Sequence, residues 1–439
     1  MVFRMNKTVR AALMTVLAAF VLAGCAKPDA GGGGEAASGQ PAEPAQPLEP
    51  VTLKMYQIQS LWTEKDVSDL IIDRVKKKYP HITVVFESKG NVEKALTAGE
   101  EMDLIAVWNG NMPYYMDFDI FENISPLAQK MNIDLTRFDQ GALDSIKALS
   151  QKGELIGLPN MLQFNALYYN KEIFDRFGAP YPKDGMTWED TIELAKKVTR
   201  PDGGTAYLGL DPDYLTRLLT PMSLNIVDSK TNKSNVGSEA YRKVFEIGKA
   251  IYDIPGNKPA AGVMKGSAAD RFIKERTVAM LTTVNLLDRL KQTPDLNWDV
   301  AQFPSFKERP NLYGMYDLHV MTVSKTSKHK EDAMRVLEVL FSDEVQLMSS
   351  KSAGKLPVMK DPKFNQAFLQ DTPELKSKQI QSMFKSKPAP APAYSMHYSK
   401  ARGILVNNFV EYVNGTKDVN TALRESDEAI NQMIEAEKK

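Results

Sequence analysis

The chain has very little cysteine and no excess of either charge. Cys25 is the single cysteine among 439 residues, and 55 basic residues balance 55 acidic ones. One cysteine excludes an internal disulfide framework and a thiolate metal site. A net charge of zero provides none of the basic surface that marks nucleic-acid-binding proteins, so we expect no nucleic-acid partner. The remaining composition, 43% hydrophobic and 25% charged, is typical of a globular protein.

Motifs of the common catalytic and nucleotide-binding sites are also absent. The chain contains no G-x-S-x-G, no H-E-x-x-H and no G-x-x-x-x-G-K-[ST]. Its histidines are scattered, and none has a nucleophile or a second metal ligand beside it in the sequence. The aspartate pairs Asp117/Asp119 and Asp211/Asp213 are typical of turns and helix caps. We therefore predict no catalytic residue, no metal site and no cofactor.

The amino terminus has the pattern of a secretory signal. Basic residues in the first ten positions precede an apolar stretch from 11 to 22, and Leu22-Ala-Gly-Cys25 follows. The apolar stretch is too short to span a membrane, which takes about 20 residues. The segment resembles a bacterial lipoprotein signal, in which cleavage before the cysteine lets its sulfur take a diacylglyceryl group. We interpret 1–24 as a signal peptide and Cys25 as the lipidation site; the alternative is an ordinary signal with a chance cysteine.

A low-complexity segment separates this cysteine from the rest of the chain. Residues 26–50 are Ala, Gly or Pro at 16 of 25 positions. Such a composition cannot bury a core and is typical of a linker. We therefore predict that residues 25–50 are a flexible tether and that the folded body begins near Val51.

From Val51 onward, strand and helix patterns alternate. Strands are predicted at 51–55, 82–86, 104–107, 155–158, 166–169, 277–281, 298–301 and 318–323, and helices at 64–79, 91–98, from Thr187 and from Ser238 to Tyr252. The first strands and helices alternate in a way that implies an α/β unit with a largely parallel sheet. After residue 330 the pattern is mostly helical.

Motifs in the middle of the chain resemble those of a known family. Gly153-Glu-Leu-Ile-Gly-Leu-Pro159, Ala166-Leu-Tyr-Tyr-Asn-Lys-Glu-Ile-Phe174 and Met186-Thr-Trp-Glu-Asp190 are followed in order by looser matches at 274–280, 298–304, 323–333 and 354–357. Together they resemble extracellular solute-binding protein family 1 of ABC importers, to which the maltose-binding protein belongs. The order and spacing of these motifs carry the resemblance, which covers nearly all of 51–439.

The resemblance implies an α/β fold of the periplasmic-binding-protein type. Each of two lobes would be a sheet flanked by helices, and hinge crossings would join them. Lobe one would comprise 51–148 and 306–340, and lobe two 149–305 and 341–439. A carbohydrate would bind between the lobes and pass to an ABC permease. The protein would be a monomeric, non-catalytic binding lipoprotein held outside the cell membrane by its lipid.

Carbohydrates require flat apolar surfaces for their C–H faces and directed polar groups for their hydroxyls. In α/β sheets, ligands bind beyond the carboxyl ends of strands. Residues of this chemistry at strand ends, or at positions that the family uses, are Gln57, Trp62, Trp108, Asn109, Asn160, Gln163, Asp213, Tyr214, Asn285, Tyr316 and Asp317. Tyr394 and Tyr398 are weaker candidates. Thr283-Val-Asn285 stands where many sugar binders of the family carry Gly-x-Trp, which removes one expected stacking platform.

Alternative functions stay open at this point. The same fold could belong to a surface enzyme that processes carbohydrates, which would need two carboxylates facing across the cleft. It could also belong to an adhesin or a sensory binding protein, or bind a solute other than a sugar, because fold alone does not determine function.

Overall fold

A computed structural model describes residues 49–150, 152–260, 262–390 and 393–437. The predicted signal peptide, the lipidation site Cys25 and nearly all of the predicted linker lie outside these residues. Within them, no helix combines the length and the hydrophobicity that crossing a membrane requires.

The described part of the chain is a mixed α/β structure, as predicted. Its strands, in chain order, are Val51–Ile58 (β1), Ile82–Glu87 (β2), Leu104–Trp108 (β3), Leu158–Gln163 (β4), Asn165–Asn170 (β5), Arg200–Asp202 (β6), Thr205–Asp211 (β7), Val227–Asp228 (β8), Lys233–Ser234 (β9), Val278–Val284 (β10), Trp298–Ala301 (β11), Leu312–Met315 (β12), Asp317–Val323 (β13) and Lys387–Ala389 (β14).

Helices connect and cover these strands. The α-helices are Glu64–Val67 (α1), Asp73–Lys78 (α2), Val92–Ala98 (α3), Met112–Met116 (α4), Ser125–Lys130 (α5), Gln140–Lys147 (α6), Lys171–Phe177 (α7), Trp188–Val198 (α8), Thr216–Leu219 (α9), Glu239–Tyr252 (α10), Ala268–Asp270 (α11), Leu287–Lys291 (α12), Lys330–Leu340 (α13), Asp343–Lys351 (α14), Lys363–Gln366 (α15), Tyr398–Val413 (α16) and Val419–Glu437 (α17). A π-helical segment, Ser68–Ile72, joins α1 to α2, and another, Arg271–Glu275, extends α11.

The first five-stranded sheet has the order β2-β1-β3-β13-β4. β1 is parallel to both β2 and β3, as the alternating pattern at the start of the chain predicts. β13 returns from late in the chain and is antiparallel to β3 and β4. The sheet as a whole is therefore mixed, since only its first three strands form the predicted parallel unit.

The second five-stranded sheet has the order β11-β5-β10-β7-β6. β5 is antiparallel to its neighbours β10 and β11, and β10 is parallel to β7. The predicted strand at 155–158 is wrong, because β4 begins only at Leu158 and continues to Gln163. Pro159 is tolerated there because β4 is an edge strand, where a missing N–H leaves no neighbour unpaired.

The lobe boundaries stay a prediction. β4 is an edge strand of the first sheet, although it lies in the range that the resemblance assigns to lobe two, 149–305. β4 belongs to the first sheet because β13 pairs with it from Asp317 to Met321. The chain therefore passes from the first sheet to the second across Phe164, between β4 and β5.

The helix predicted to start at Thr187 is α8, and Thr187 caps it. The Thr187 hydroxyl accepts a hydrogen bond from the Asp190 N–H at 3.1 Å, and the Asp190 carboxylate accepts one from the Thr187 N–H at 2.9 Å. This capping box satisfies two of the free N–H groups at the start of the helix. Trp188 is fully buried beneath the helix, with its ring 5.5 Å from that of Phe303. Trp188 is therefore a core residue.

Asn257 offers a test of how the second sheet is held to its helices. Its fully buried amide accepts from the N–H groups of Gly209 and Leu210 at 2.6 and 3.2 Å and donates to the Leu210 and Ile251 carbonyls at 2.8 Å. Asn257→Leu removes these bonds; the Gly209 N–H keeps the Thr199 hydroxyl as an acceptor at 3.1 Å, and each of the other three groups loses a bond worth about 1 kcal/mol. We expect urea unfolding to show a loss of about 3 kcal/mol in total.

The control for this substitution is Asn420→Ala on the exposed face of α17, which should change stability by less than about 0.5 kcal/mol. A loss below about 1 kcal/mol in Asn257→Leu would contradict the structural role assigned to the amide.

Candidate functional site

In each five-stranded sheet several strands end along one side, which is called the edge of that sheet, and the two edges meet near Phe164. β1, β3 and β4 end at one edge of the first sheet, and β13 begins there. β7, β10 and β11 end at one edge of the second sheet, and β5 begins there. Phe164 alone separates the end of β4 from the start of β5. The strand ends that carry most of the predicted site residues are therefore brought together between the sheets.

Trp108 and Asp317 form the centre of the first edge. The Trp108 indole N–H donates to the Asp317 carboxylate at 2.6 Å. The Trp108 ring lies 6.0 Å from that of Tyr394, which in turn packs edge-to-face on Tyr398 at 4.9 Å. Tyr398 begins α16, a helix that packs on α10 of the second sheet's layer. The two weaker sequence candidates, Tyr394 and Tyr398, thus adjoin two of the stronger ones.

Arg217 faces this group from the second sheet's side. It lies in α9, just after β7, and its guanidinium is 5.8 Å from the centre of the Tyr214 ring. Burial raises the pKa of the Asp317 carboxyl above its usual value, whereas the positive charge of Arg217 and the hydrogen bond from Trp108 lower it. The Arg217 guanidinium, which follows a strand of the second sheet, is therefore close enough to influence the Asp317 carboxyl at the end of the first.

Among the buried polar side-chain atoms without a hydrogen-bond partner in the described residues, six belong to residues in these strands or in the segments that follow them. The atoms are Gln57 Oε1, Trp62 Nε1, Asn160 Oδ1, Asn165 Oδ1, Asp213 Oδ1 and Arg217 Nε. Asn160 lies where the β4 and β13 register shifts, a bulge of the kind that redirects side chains. Burying an unpaired polar group costs about 1–3 kcal/mol, so a polar solute bound at these strand ends would gain by supplying the missing partners.

Asp213 is held in a defined position by its neighbours. Its N–H donates to the Asp211 carboxylate at 2.9 Å, and its own Oδ2 accepts from the Thr283 hydroxyl at 2.8 Å. Its backbone is left-handed, with φ of 64°. Tyr214 packs against Gly266, where a Cβ would come within 2.0 Å of the tyrosine hydroxyl. The loop after β7 is thus fixed, while Asp213 Oδ1 stays unpaired.

A cavity of about 680 Å³ adjoins the edges and reaches from one layer to the other. Trp62, Asp66 and Lys355 line it on the first sheet's side, and Asn285 and Lys291 on the second's. The Asn285 side chain also accepts a hydrogen bond from the backbone N–H of Leu287 at 3.0 Å. Both Trp62 and Asn285 therefore line this cavity, and their role in binding a ligand stays a prediction.

His319 is the third residue of β13, near the edge of the first sheet, and is only 4% exposed. Its ring nitrogens lie 3.4 Å from the Ser60 hydroxyl and 3.4 Å from the Gln163 amide. Burial, followed by the charge of Lys355, lowers the pKa of His319 to about 3. Gln163 therefore contacts a neutral imidazole.

Three other predicted residues use part or all of their polar groups within the protein. The Asn109 amide donates to the Tyr316 carbonyl at 2.9 Å and accepts from the Leu318 N–H at 3.2 Å, which joins β3 to β13. The Tyr316 hydroxyl donates to Asp139 at 2.7 Å, and Asp139 caps α6. Gln57 donates its amide N–H to the Ser88 carbonyl at 3.2 Å and keeps only its oxygen unpaired.

The structure adds residues that the sequence analysis did not select. Arg217, Asn165, His319 and Lys355 all contribute to the two edges or the cavity. A histidine inside an apolar strand and a lysine in Gly354-Lys-Leu-Pro357 gave no local signal, because their neighbours come from distant parts of the chain. Among the residues that the structure covers, no group of three His, Cys, Asp or Glu side chains could hold a metal ion.

Comparisons with known proteins agree on one family. A model of bacterial extracellular solute-binding proteins matches residues 61–347. A binding protein of Brucella abortus (strain 2308) is 24% identical over 218 residues, covering 48% of this chain and 52% of that protein. An sn-glycerol-3-phosphate-binding periplasmic protein of Rhizobium meliloti (strain 1021) is 23% identical over 301 residues, covering 65% and 69%. The chain thus spans about half the length of the first relative.

A solved structure shares the fold. An ABC substrate-binding protein of Listeria monocytogenes in complex with cycloalternan is similar with a TM-score of 0.72 at 19% identity, covering 88% of this chain and 99% of that one. The fold is the two-lobed type of periplasmic sugar-binding proteins, in which a sheet flanked by helices forms each lobe.

The buried imidazole predicts how stability depends on pH. The folded protein keeps His319 neutral down to about pH 3, whereas the unfolded chain takes up a proton near its ordinary pKa of about 6.5. Stability should therefore fall as the pH drops below about 6.5, by about 1.4 kcal/mol per pH unit from this group. His319→Gln should remove that component, as measured by urea unfolding from pH 7 to about pH 4.

The matched control is His329→Gln, at an exposed position before α13, which should keep the wild-type slope. A wild-type slope in His319→Gln as well would mean that another group causes the loss.

Proposed function

The chain belongs to the bacterial extracellular solute-binding proteins, as its motifs indicated, and we propose that it captures a carbohydrate in the cleft between its lobes and delivers it to an ABC permease. The observation that carries this proposal is the set of unpaired buried polar atoms on strands of both sheets and the segments after them, together with the rings of Trp62 at the cavity and of Trp108 and Tyr394, 6.0 Å apart. The hydroxyl groups of a sugar would pair with the unpaired polar atoms, and its C–H faces would pack on the aromatic rings.

The balance of donors and acceptors favours a solute rich in hydroxyl groups. Four of the six unpaired atoms are acceptors: the amide oxygens of Gln57, Asn160 and Asn165, and one carboxylate oxygen of Asp213. Acceptors of this kind require O–H or N–H donors on the ligand. A neutral sugar provides them, whereas a phosphate group would face the carboxylates of Asp213 and Asp317.

Binding and lobe closure would be coupled. The unpaired atoms come from both sheets, so a solute can satisfy all of them only when the lobes are together. The closed state therefore binds the solute more tightly than an open one, and the solute shifts the population toward it. The proposed role is binding and delivery, without a chemical step.

A phosphorylated polyol is the second candidate. The unpaired Nε of Arg217 and the similarity to a glycerol-phosphate-binding relative favour it. Calorimetry distinguishes the two by titrating the protein with a panel of mono- and oligosaccharides and, separately, with sn-glycerol 3-phosphate. We expect a neutral saccharide to bind and the phosphate ester not to bind; the reverse pattern would contradict the carbohydrate proposal.

Asp213→Asn tests the acceptor role directly. The substitution keeps the side chain's shape but removes its charge, and a hydrogen bond to a charged group contributes about 1.5–3 kcal/mol. The affinity for the bound saccharide should fall about ten- to hundredfold in calorimetry. Asp117→Asn, at an exposed position, should bind as the wild type does. Equal affinity in both variants would remove Asp213 from the site.

The lipid anchor is part of the same proposal. A lipid on Cys25 and the linker behind it would keep the binding body near its permease and raise its local concentration there. Cys25→Ser should release the protein from the membrane fraction and impair uptake of the solute. Its calorimetric affinity for the solute should be unchanged, and a loss of affinity would contradict the separation of anchor and binding body.

A further inference from the structure

Lys355 is a buried lysine beside the cleft. It is 8% exposed, and its ammonium group lies 3.0 Å from the Asp66 carboxylate and 3.1 Å from the Leu61 carbonyl oxygen. The same nitrogen lies over the Trp62 ring, 6.0 Å from its centre. Lysines are seldom buried without partners, and all three of these partners belong to the short segment that follows β1.

The lysine connects two distant parts of the first sheet. Its own segment is bound to β4, because the Leu162 N–H donates to the Leu356 carbonyl at 2.9 Å. Its partners follow β1, and β3 and β13 lie between β1 and β4. Three strand spacings of about 4.8 Å separate the two, roughly 14 Å. The side chain therefore joins the segment attached to β4 to the segment that follows β1, close enough to His319 for its charge to act on that imidazole.

We propose that Lys355 is a positioning residue that holds the Trp62 indole in the wall of the cleft. It binds the backbone carbonyl next to Trp62 on one side and the first turn of α1 on the other, so the loop between them cannot swing outward. The inference rests on the proposed function only in taking the 680 Å³ cavity as the solute's space.

Asp66 has other contacts that do not depend on Lys355. The effect of Lys355 on Trp62 can therefore be distinguished from a general effect on stability. Asp66 accepts hydrogen bonds from the Thr63 N–H and hydroxyl at 3.2 and 2.7 Å, and its own N–H donates to the Thr63 hydroxyl. This capping box starts α1 without help from Lys355. Removal of the ammonium group therefore frees the carbonyl of Leu61 and the ring of Trp62, while α1 keeps its cap.

The cavity provides a matched control. Lys291 lines the same space but pairs with Asp288, three residues earlier on α12, at 2.8 Å, and makes no contact with Trp62 in the structure. Lys291→Met removes the same charge and the same ammonium group from the cavity. Any effect of the cavity's net charge alone should appear in both variants.

Acrylamide quenching of tryptophan fluorescence tests the proposal without a solute. In a Trp108→Phe background, the remaining tryptophans are at most 6% exposed, so quenching should be weak. Adding Lys355→Met should raise the quenching constant about twofold or more, and further addition of Trp62→Phe should abolish the rise. Lys291→Met should leave quenching unchanged, and Lys355→Arg should restore most of the protection.

Unchanged quenching in Lys355→Met, or an equal rise in Lys291→Met, would overturn the proposal. In the wild-type background, Lys355→Met should also lower the affinity for the saccharide found in the calorimetric panel about tenfold, with an unfolding temperature close to that of Lys291→Met. If no saccharide binds any variant, the carbohydrate proposal fails, and the quenching result still decides the role of Lys355.

Discussion

The short connection between β4 and β5 determines which strand ends meet at the cleft. Phe164 alone separates the two strands, and two extended residues reach only about 7 Å, so one sheet's binding edge begins where the other's ends. Because β1, β3 and β4 run in the same direction, their carboxyl ends reach this edge together. The Phe164 ring is buried against Phe368 at 5.6 Å, which fixes the point where the chain leaves the first sheet.

Two glutamines on opposite sides of the strand ends differ in how fully their amides are hydrogen-bonded. Directly after β11, the Gln302 amide donates to Asn311 and Ser386 at 2.9 Å and accepts from the Gly185 N–H at 2.9 Å. Gln57, at the binding edge, leaves its oxygen unpaired. Sequences depart from full satisfaction mainly where function requires it. Gln302 therefore fixes the segment after β11, whereas Gln57 keeps an oxygen available for a solute.

Local patterns predicted the elements that local forces specify. The β-branched strand at Ile82 and the capping box at Thr187 were predictable because their signals lie within a few residues. β7 was missed because Thr205-Ala-Tyr-Leu-Gly-Leu-Asp211 has few β-branched residues and a glycine, so tertiary pairing with β10 decides it. In the site, strand-end residues such as Trp108 were selected from sequence, but Arg217 was not. Its approach to Asp317 depends on how two distant segments pack.

The charges in the cleft compensate one another, and this bears on the choice of solute. Lys355 is paired with Asp66 on the first sheet's side of the cavity, and Arg217, which follows β7 of the second sheet, acts on Asp317. Burial opposes ionisation of Asp317, because a charge in a low-dielectric site is stable only beside a partner. A solute carrying a full charge would draw Arg217 or the carboxylates away from these partners. A neutral polyhydroxyl solute leaves the pairs intact and supplies donors to the unpaired oxygens, so the electrostatics and the hydrogen-bond inventory favour the same class.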